Sequence, residues 1–358
     1  MWLRILLKPS SVNLSTTSFS QKIVAWYQQH GRKDLPWQQS TGAVKPYHVW
    51  LSEIMLQQTQ VVKVKAYFNR FITEIPSLKD LALAEEQKVL ALWSGLGYYN
   101  RARNLHKTAQ ICVKQHQGQL PQDLTALMAL PGIGRSTAAA IMSLAYKQAE
   151  PIMDGNVKRV FARHFLIAGE PNKSATLKAF WQLAEINREF DNPAEYTQGL
   201  MDLGAMVCTK NKPQCGLCPI EQSCAAQAKD VIDQYPQKKQ KVKQQEVNLF
   251  ALFSQDKGKI ALQLRDEKSI WPKLWFVPLF NDEKALQAVH PKAKQQFSFT
   301  HKLTHRILHI HVYVVDEPIK CDHINWINLK ELRKYPHPKA LNHLLEQHKN
   351  LNENHHLH

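Results

Sequence analysis

A short run of residues in the middle of the chain, Leu130–Thr137, fixes where one helix ends and the next begins. It reads L-P-G-I-G-R-S-T and leads into a helix of small residues. Pro131 cannot continue a preceding helix, and the glycines that follow permit backbone angles that other residues avoid. Ser136 and Thr137 can satisfy the free N–H groups of the next helix. The run therefore predicts a tight helix–hairpin–helix turn.

The two glycines of this turn, Gly132 and Gly134, also bear on what the turn can bind. Because they carry no side chains, the backbone amides beside them can approach a phosphate at the N-terminus of a helix. The turn alone leaves an ordinary connection between two helices equally open. Other parts of the sequence must decide between the two interpretations.

The chain is strongly basic, with 46 Lys and Arg against 30 Asp and Glu among its 358 residues and a formal net charge of +16. A polyanionic partner is therefore expected, with nucleic acid ahead of an anionic membrane. No apolar run approaches the ~18 residues that a membrane-spanning helix needs. We therefore expect no membrane association.

The first residues, Met1–Ser20, are basic, rich in Ser and Thr and free of acids. A transit peptide or a short secretory signal would share this composition, but the apolar part, Ile5–Leu7, is very brief. We interpret residues 1–18 as a disordered extension or the product of an early start codon. The absence of a clear targeting signal predicts a bacterial cytoplasmic protein associated with the nucleoid, or an organellar or nuclear one if the source is eukaryotic.

The two parts of the chain differ in the spacing of their apolar residues. From Gln21 to the cysteines near residue 224 the spacing is helical, whereas strand-like alternation begins after Val247. A charged segment with few apolar residues, 227–246, separates the two parts. A chain of 358 residues is expected to form roughly two domains. Here these are a mainly α domain and a smaller α+β domain.

Four of the six cysteines fall in one window, spaced Cys208-x6-Cys215-x2-Cys218-x5-Cys224. In a long chain without a clear signal peptide, this clustering indicates a metal site rather than disulfides. Four thiolates can hold zinc or an iron–sulfur cluster. Zinc ribbons usually contain two C-x2-C pairs, and only one pair here has that gap. The uneven spacing therefore favours a [4Fe–4S] cluster.

Two carboxylates stand in contrasting local sequences. Asp154 lies just before a helix, so it is either a helix cap or a carboxylate kept ionised by the amide dipoles at the helix start. Glu53 has apolar neighbours within one helical turn and is either a solvated helix-face glutamate or a general acid kept protonated by those neighbours. Two carboxylates with different environments are the usual acid and stabiliser for breaking a glycosidic bond.

Several long motifs occur in the order found in one superfamily. The cysteine spacing, the hairpin turn and D-G-N-V-K-R-V at 154–160 together resemble the endonuclease III superfamily of DNA glycosylases. The motifs W-L-S-E-I-M-L-Q-Q-T-Q-V at 50–61 and G-L-G-Y-Y-N-R-A-R-N-L at 95–105 resemble the MutY family. These are adenine DNA glycosylases that act on adenine mispaired with 8-oxoguanine or guanine. The similarity covers about residues 19–350 and is strongest over 34–225.

This resemblance implies a mainly α, two-lobed helix-hairpin-helix DNA glycosylase with a [4Fe–4S] cluster loop, plus a C-terminal α+β Nudix-like domain. It would act as a monomer on double-stranded DNA. Adenine would flip into the cleft between the lobes, because its bond to the sugar cannot be attacked while the base is stacked. The implied boundaries are a disordered extension at 1–18, an iron–sulfur cluster lobe at 19–45 and 149–226, a six-helix barrel lobe with the hairpin at 46–148, a basic linker at 227–246, a Nudix-like 8-oxoguanine recognition domain at 247–350 and a disordered tail at 351–358.

The resemblance also implies roles for residues that match the family's motifs. Glu53 matches the general acid that protonates adenine N7. Asp154 matches the carboxylate that stabilises or transiently captures the oxocarbenium-like sugar, with Asn156 as a supporting polar residue. The residues implied near the adenine pocket are Trp37, Leu56 and Gln198. The residues implied to contact DNA are Gln58 and Tyr98, which are pushed into the duplex, and Thr59, Gly132, Gly134, Arg135 and Ser136.

Ser136 and the C-terminal domain narrow the chemistry that the resemblance implies. Same-fold enzymes that also cut the strand use a lysine at this hairpin position to form a Schiff base, which serine cannot do. A monofunctional enzyme that leaves an abasic site is therefore implied. The magnesium-binding arrangement of Nudix hydrolases, G-x5-E-x7-R-E-x-x-E-E, is absent from the sequence. Pyrophosphatase activity is not expected.

The family's loop for reading 8-oxoguanine matches Leu303-Thr304-His305, where Phe-Ser-His is usual. Thr304 and His305 are expected to hydrogen-bond the lesion while Leu303 wedges between bases. Leucine stacks less well than an aromatic ring. The strength of the preference for 8-oxoguanine over guanine is therefore open.

Three classes of function compete for this sequence. The first is the monofunctional adenine glycosylase. An endonuclease III-like glycosylase and lyase for oxidised pyrimidines is disfavoured by Ser136 and by the C-terminal domain. A non-catalytic, cluster-bearing DNA-binding protein is disfavoured because Glu53 and Asp154 both stand in matching contexts. The cluster is expected to be structural and to hold the basic 208–224 loop against DNA.

Overall fold

The computed structural model describes residues 18–38, 45–237, 244–315, 317, 319 and 323–355. The predicted extension, apart from Ser18, and residues 238–243 of the predicted linker lie outside the described residues. The chain forms two compact units, each taken here without the residues outside those ranges. The first unit comprises Met1–Trp50, Gln122–Ala129 and Ile133–Lys239, and the second comprises Leu51–Pro121, Leu130–Gly132 and Gln240–His358.

Twelve of the described α-helices lie before residue 230, and two more lie in the C-terminal part. In chain order the α-helices are α1 (Phe19–His30), α2 (Pro46–Leu56), α3 (Val61–Glu74), α4 (Leu78–Leu83), α5 (Glu86–Trp93), α6 (Asn100–Gln115), α7 (Leu124–Met128), α8 (Arg135–Tyr146), α9 (Gly155–His164), α10 (Ser174–Ile186), α11 (Pro193–Asp202), α12 (Ala225–Ala228), α13 (Glu283–Val289) and α14 (Lys339–His355). A π-helical turn, Leu203–Val207, continues α11 up to the first of the four clustered cysteines.

The first unit is built around an apolar core shared by α1, α9, α10 and α11. Ile23, Phe161 and Phe180 are fully buried there, one from each of the first three helices. α1 begins with a capping box, in which Ser18 Oγ accepts from Gln21 N at 3.2 Å and Gln21 Oε1 accepts from Ser18 N at 3.0 Å. α8, predicted to belong to the barrel lobe, lies in this unit.

The helical part of the second unit contains α3 to α6 and packs around large aromatic side chains. Phe68, Phe71 and Trp93 are fully buried, and the rings of Phe71 and Trp93 meet edge to face at 6.3 Å. This edge-to-face contact joins α3 to α5.

The C-terminal part of the second unit contains a seven-stranded mixed sheet, as the strand-like alternation predicts. The strands are β1 (Gln245–Asp256), β2 (Lys259–Leu264), β3 (Trp275–Phe276), β4 (Leu279–Phe280), β5 (Lys294–Lys302), β6 (Arg306–Val315) and β7 (Ile324–Asn328). The sheet order is β3-β2-β1-β6-β5, with β4 paired to β1 and β7 to β2. The central pair, β1 and β6, is parallel and in register over ten residues from Gln245↔Arg306 to Ser254↔Val315.

Both faces of this sheet are covered. Leu341 and Leu344 of α14 are fully buried in one apolar core, and Leu286 of α13 is buried in another. α14 continues to His355, which contradicts the predicted disorder of residues 351–355, while 356–358 lie outside the described residues. Near its end, α14 carries an i,i+4 ion pair between Lys349 and Glu353 at 3.5 Å, an arrangement that favours the helical conformation. No helix in the described ranges is long and apolar enough to cross a membrane.

The predicted hairpin forms between α7 and α8, and its first glycine is tightly surrounded. Gly132 has φ +78°, and a Cβ atom there would lie 2.8 Å from Asn104 Cβ. The preceding turn is fastened to α6 by Thr108 Oγ1, which donates to Pro131 O at 2.9 Å. Only glycine meets both demands at position 132.

We expect Gly132→Ala to lower the free energy of unfolding by about 1–3 kcal/mol, because the substitution adds a strained backbone angle and a steric overlap. Gly134→Ala is the matched control. Gly134 has φ −87° and no atom within 4 Å of the added Cβ, so its effect should stay within about 0.5 kcal/mol. Urea unfolding of the two variants measures the difference, and equal effects would contradict this account of the turn.

Candidate active site and nucleic-acid interface

Asp154 is held at the start of α9 by two hydrogen bonds. Its Oδ1 accepts from Val157 N at 2.7 Å, which makes it the N-cap, and its Oδ2 accepts from Asn156 Nδ2 at 3.3 Å. The two explanations that the sequence left open are therefore compatible. The carboxyl caps the helix, and the cap fixes its orientation.

The charge state of Asp154 is set by opposing effects. Burial raises its pKa, while hydrogen bonds from the backbone of Val157 and Asn156 and the charge of Arg159 oppose that rise. The sequence predicted a carboxylate kept ionised by the helix amides. Those amides act in the predicted direction, but burial has the larger effect. A partly desolvated carboxylate is stabilised by a positive charge that develops beside it.

Asn156 links this carboxyl to the segment that precedes the cysteines. Arg159 Nη2 donates to Asn156 Oδ1 at 2.9 Å, and its Nε donates to the carbonyl oxygen of Cys208 at 2.7 Å. Gly204 packs so closely that a Cβ there would lie 2.6 Å from Asn156 Cβ. Sequence reasoning missed Arg159, although its place three residues after Asn156 on one helix face was a usable signal.

Glu53 lies in α2 among buried apolar side chains. Leu51, Ile54 and Met55 are buried, and Glu53 itself is half-buried. The apolar surroundings predicted for this carboxyl are therefore present in its own helix.

The residues predicted to enter the duplex lie on two loops of the second unit. Gln58 is exposed and Thr59 is half-buried in the loop after α2, and Tyr98, which is 51% exposed, precedes α6. Gln58 and Tyr98 both have left-handed backbone angles, with φ of 58° and 50°. Side-chain-bearing residues rarely adopt this conformation.

The hairpin glycine at the start of α8 leaves the helix N-terminus without a side-chain cap. Gly134 is the N-cap, and no atom lies within 4 Å of a Cβ placed there. The prediction that Ser136 caps this helix is wrong, because its Oγ accepts from Met153 N at 3.3 Å instead. Ser136 thus ties α8 to the segment before Asp154. Backbone N–H groups at this end suit a phosphate.

Arg135 uses its side chain inside the first unit. Its Nη2 lies 2.6 Å from Glu185 Oε1, and the guanidinium sits 4.0 Å from the centre of the Trp181 ring. These contacts fasten α8 to α10. The DNA contact predicted for Arg135 would therefore run through its backbone N–H rather than its charge.

The three residues predicted near the adenine pocket differ in their freedom to bind a ligand. Trp37 and Gln198 are buried, and Leu56 at the end of α2 is half-buried. Gln198 Nε2 donates to Asp202 Oδ1 at 2.8 Å, and the same fully buried carboxylate accepts from Arg32 Nη2 at 2.6 Å. The Gln198 amide therefore donates a hydrogen bond to the buried Asp202 carboxylate, and a buried charge requires such partners.

The four clustered cysteines line one pocket together with Arg163. All four are free thiols rather than disulfides. Burial and the neighbouring thiols raise the pKa of Cys218 to about 12. Arg163 is buried, and its Nη1 donates to Cys208 Sγ at 3.4 Å and to Thr209 O at 2.7 Å. Among the residues that the structure describes, no three His, Cys, Asp or Glu side chains are arranged to hold one single metal ion.

The predicted 8-oxoguanine loop connects β5 to β6 in the second unit. Thr304 and His305 are exposed, whereas Leu303 is half-buried against the apolar core of the C-terminal part. Gln244 Nε2 donates to Leu303 O at 2.7 Å and to Thr304 O at 3.3 Å. Gln245 N donates to His305 O at 3.1 Å.

Known proteins resemble this chain in sequence and in fold. Residues 51–185 match the HhH-GPD superfamily of base excision DNA repair proteins, and residues 249–347 match the NUDIX domain. An adenine DNA glycosylase of Buchnera aphidicola subsp. Acyrthosiphon pisum (strain APS) is 39% identical over 345 residues, covering 92% of this chain and 97% of the relative. The adenine DNA glycosylase of Homo sapiens is 40% identical over 216 residues, covering 59% of this chain and 39% of the relative.

One solved structure shares the helical part of the fold. A thermostable thymine-DNA glycosylase superposes with a TM-score of 0.52 at 28% identity, covering 59% of this chain and 95% of that one. The helix-hairpin-helix fold and the C-terminal Nudix-like domain predicted from the sequence are both confirmed. With a near full-length relative at 39% identity, the chain belongs to the adenine DNA glycosylase family of the HhH-GPD base excision repair superfamily.

Proposed function

We propose that this protein removes adenine mispaired with 8-oxoguanine or guanine from double-stranded DNA by hydrolysing the N-glycosidic bond. The observation that carries this proposal is the setting of Asp154, a half-buried residue whose carboxyl is oriented by the first turn of α9 and partly desolvated. Family membership supports the choice of adenine. The product is an abasic site in an unbroken strand. The protein works as a monomer on chromosomal DNA, in the cytoplasm if the source is bacterial.

Asp154 stabilises the positive charge that develops on the sugar as the bond to adenine breaks. A buried anion interacts more strongly with such a charge than a solvated one does. The hydrogen bonds from Val157 and Asn156 keep the carboxyl oriented during the reaction. Little reorganisation is then needed at the moment when the charge forms.

Glu53 supplies the proton that makes adenine a leaving group. Glu53 lies half-buried among the buried side chains of Leu51, Ile54 and Met55, and a proton donor in this reaction must carry its proton at the working pH. Adenine N7 is the atom it protonates. Water completes the hydrolysis at the sugar carbon, and the strand remains intact.

An endonuclease III-like glycosylase and lyase is not favoured as the alternative. Its chemistry needs an amine at the hairpin position, and residue 136 is a serine whose hydroxyl accepts from Met153 N. The near full-length relative is an adenine glycosylase.

Adenine release from duplexes carrying A:8-oxoG, A:G, A:T or thymine glycol tests the proposal. We expect release from the first two only, and strand cleavage only after alkali. Glu53→Gln and Asp154→Asn should each slow single-turnover release by about 10²-fold or more, because each removes a group that acts in the transition state. Cleavage without alkali, or wild-type rates in both variants, would refute the assignment.

A [4Fe–4S] cluster held by Cys208, Cys215, Cys218 and Cys224 fits the donor set. A single zinc ion needs each thiolate ~2.3 Å from one centre, whereas a cluster holds its four thiolates at separate corners. Four free thiols around one pocket, beside the buried cation Arg163, suit the larger group and its negative charge. When bound, the cluster cross-links residues 208–224 and keeps this basic loop folded.

The cluster is tested by metal content rather than by activity. The purified protein should contain about four iron and four sulfide per chain, and Cys218→Ser should lose most of both and melt at a lower temperature. Cys112→Ala is the control, because Cys112 is buried in α6 outside the cysteine window. Zinc at one equivalent in place of iron would overturn the cluster assignment.

The loop Leu303–His305 reads the base opposite adenine, chiefly through its two exposed side chains. His305→Ala should reduce the ratio of the rates on A:8-oxoG and A:G by about fivefold, which is the loss of one hydrogen bond. Rates on both duplexes are measured under single-turnover conditions. Lys302→Ala, a neighbouring exposed change, should leave the ratio as it is. An unchanged ratio in His305→Ala would remove the loop from recognition.

A further inference from the structure

Two loops of the second unit carry the side chains proposed to enter DNA. In each loop, the residue that carries this side chain has a left-handed backbone conformation. Gln58 and Tyr98 are exposed and have φ of 58° and 50°. A non-glycine residue in this conformation costs on the order of 1–3 kcal/mol and persists only where its surroundings impose it. Other contacts must therefore hold each loop.

A single side chain, Arg101 at the start of α6, contacts both loops. On the side of α2 its Nη1 donates to the carbonyl oxygens of Ile54 and Met55 at 2.9 Å each and of Gln57 at 2.5 Å. Ile54 and Met55 lie in the last turn of α2 and Gln57 follows it; a cation is favoured at the carbonyl end of a helix. The guanidinium thus fixes the point from which the Gln58 loop departs.

The other guanidinium nitrogen of Arg101 reaches both loops. Its Nη2 donates to Thr59 Oγ1 in the Gln58 loop at 3.3 Å and to Gly97 O in the Tyr98 loop at 3.0 Å. Its guanidinium carbon lies 5.3 Å from the Trp93 ring centre and 5.6 Å from that of Tyr98. Burial lowers the Arg101 pKa to about 10, so the group remains charged at neutral pH.

We propose that Arg101 is a positioning residue that sets Gln58 and Tyr98 in one fixed arrangement, so that both enter the duplex together when adenine is extruded. This inference rests on the proposed adenine glycosylase function. A planar fork with several donors is needed, because the acceptors lie on two loops. A lysine has one ammonium group and cannot reach the carbonyls of α2 and Gly97 O at the same time.

The test compares Arg101→Lys on two substrates that differ in the cost of extrusion. On an A:8-oxoG duplex, single-turnover adenine release should slow by about tenfold or more, because misplacing a positioned group by even a small distance reduces the rate by that much or more. On a duplex with adenine opposite a tetrahydrofuran abasic analogue, where the base is unpaired and easier to extrude, the loss should stay below about threefold. With 2-aminopurine in place of adenine, the rise in fluorescence on binding should shrink in the variant.

Arg70→Lys is the matched control. Arg70 makes the same kinds of contact, donating to Leu92 O at 2.6 Å and stacking 4.7 Å from the Tyr67 ring centre, but it touches neither loop. It should behave as wild type on both substrates. In a Tyr98→Ala background, Arg101→Lys should cost much less than in wild type, because the two residues act as a unit.

Equal losses on both substrates would mean a merely structural role for Arg101 and would overturn the inference, as would wild-type rates. Thr59→Val, which removes one acceptor and leaves Arg101 in place, is the milder second variant. Thr59→Val should also slow adenine release more on the A:8-oxoG duplex than on the abasic-analogue duplex, but by a smaller factor. If it showed no such difference between the substrates, that result would also count against the inference. If the wild-type protein releases no adenine from either duplex, the proposed function itself has failed.

Discussion

The hydrogen bonds between the first turn of α9 and the Asp154 carboxyl anchor the chemistry proposed for this protein. They come from Val157 and Asn156, and they oppose a burial that raises the carboxyl's pKa. The residue is therefore neither an ordinary cap nor an ordinary surface acid. The first turn of α9 fixes the position of the carboxyl. Its desolvation makes the ionised form costly, so a positive charge that develops nearby stabilises that form substantially.

Several arginines in this strongly basic chain work inside the protein. Arg101, Arg159 and Arg163 each donate to two or more backbone carbonyls of other segments. Arg135 pairs with Glu185. The net charge of +16 correctly indicates a polyanionic partner, yet it does not identify the cations that meet it. Those are to be sought among residues without such internal acceptors.

The sequence predicted features that depend on neighbours along the chain. The hairpin turn, the strands after Val247 and the cap at Asp154 all follow from local residue types and spacing. One error concerns a partner far away in sequence. Ser136 was expected to cap its own helix, but its Oγ accepts from Met153 N, 17 residues later. The ion pair between Arg32 and the buried Asp202, which the sequence did not predict, joins residues 170 apart. No local pattern encodes such pairings.

The position at which the chain enters the C-terminal sheet limits where the sequence between the two domains can vary in length. Gln244 and Gln245 hold the backbone of the Leu303–His305 loop by three hydrogen bonds, just where β1 starts beside β6. Gln244, where the segment between the two domains ends, therefore contacts the loop that we propose reads the base opposite adenine. Insertions ahead of Gln244 leave that loop's shape intact, whereas a one-residue shift at Gln244 would misalign its support and reverse which face each β1 side chain occupies. Evolutionary length variation should accordingly stop at this residue.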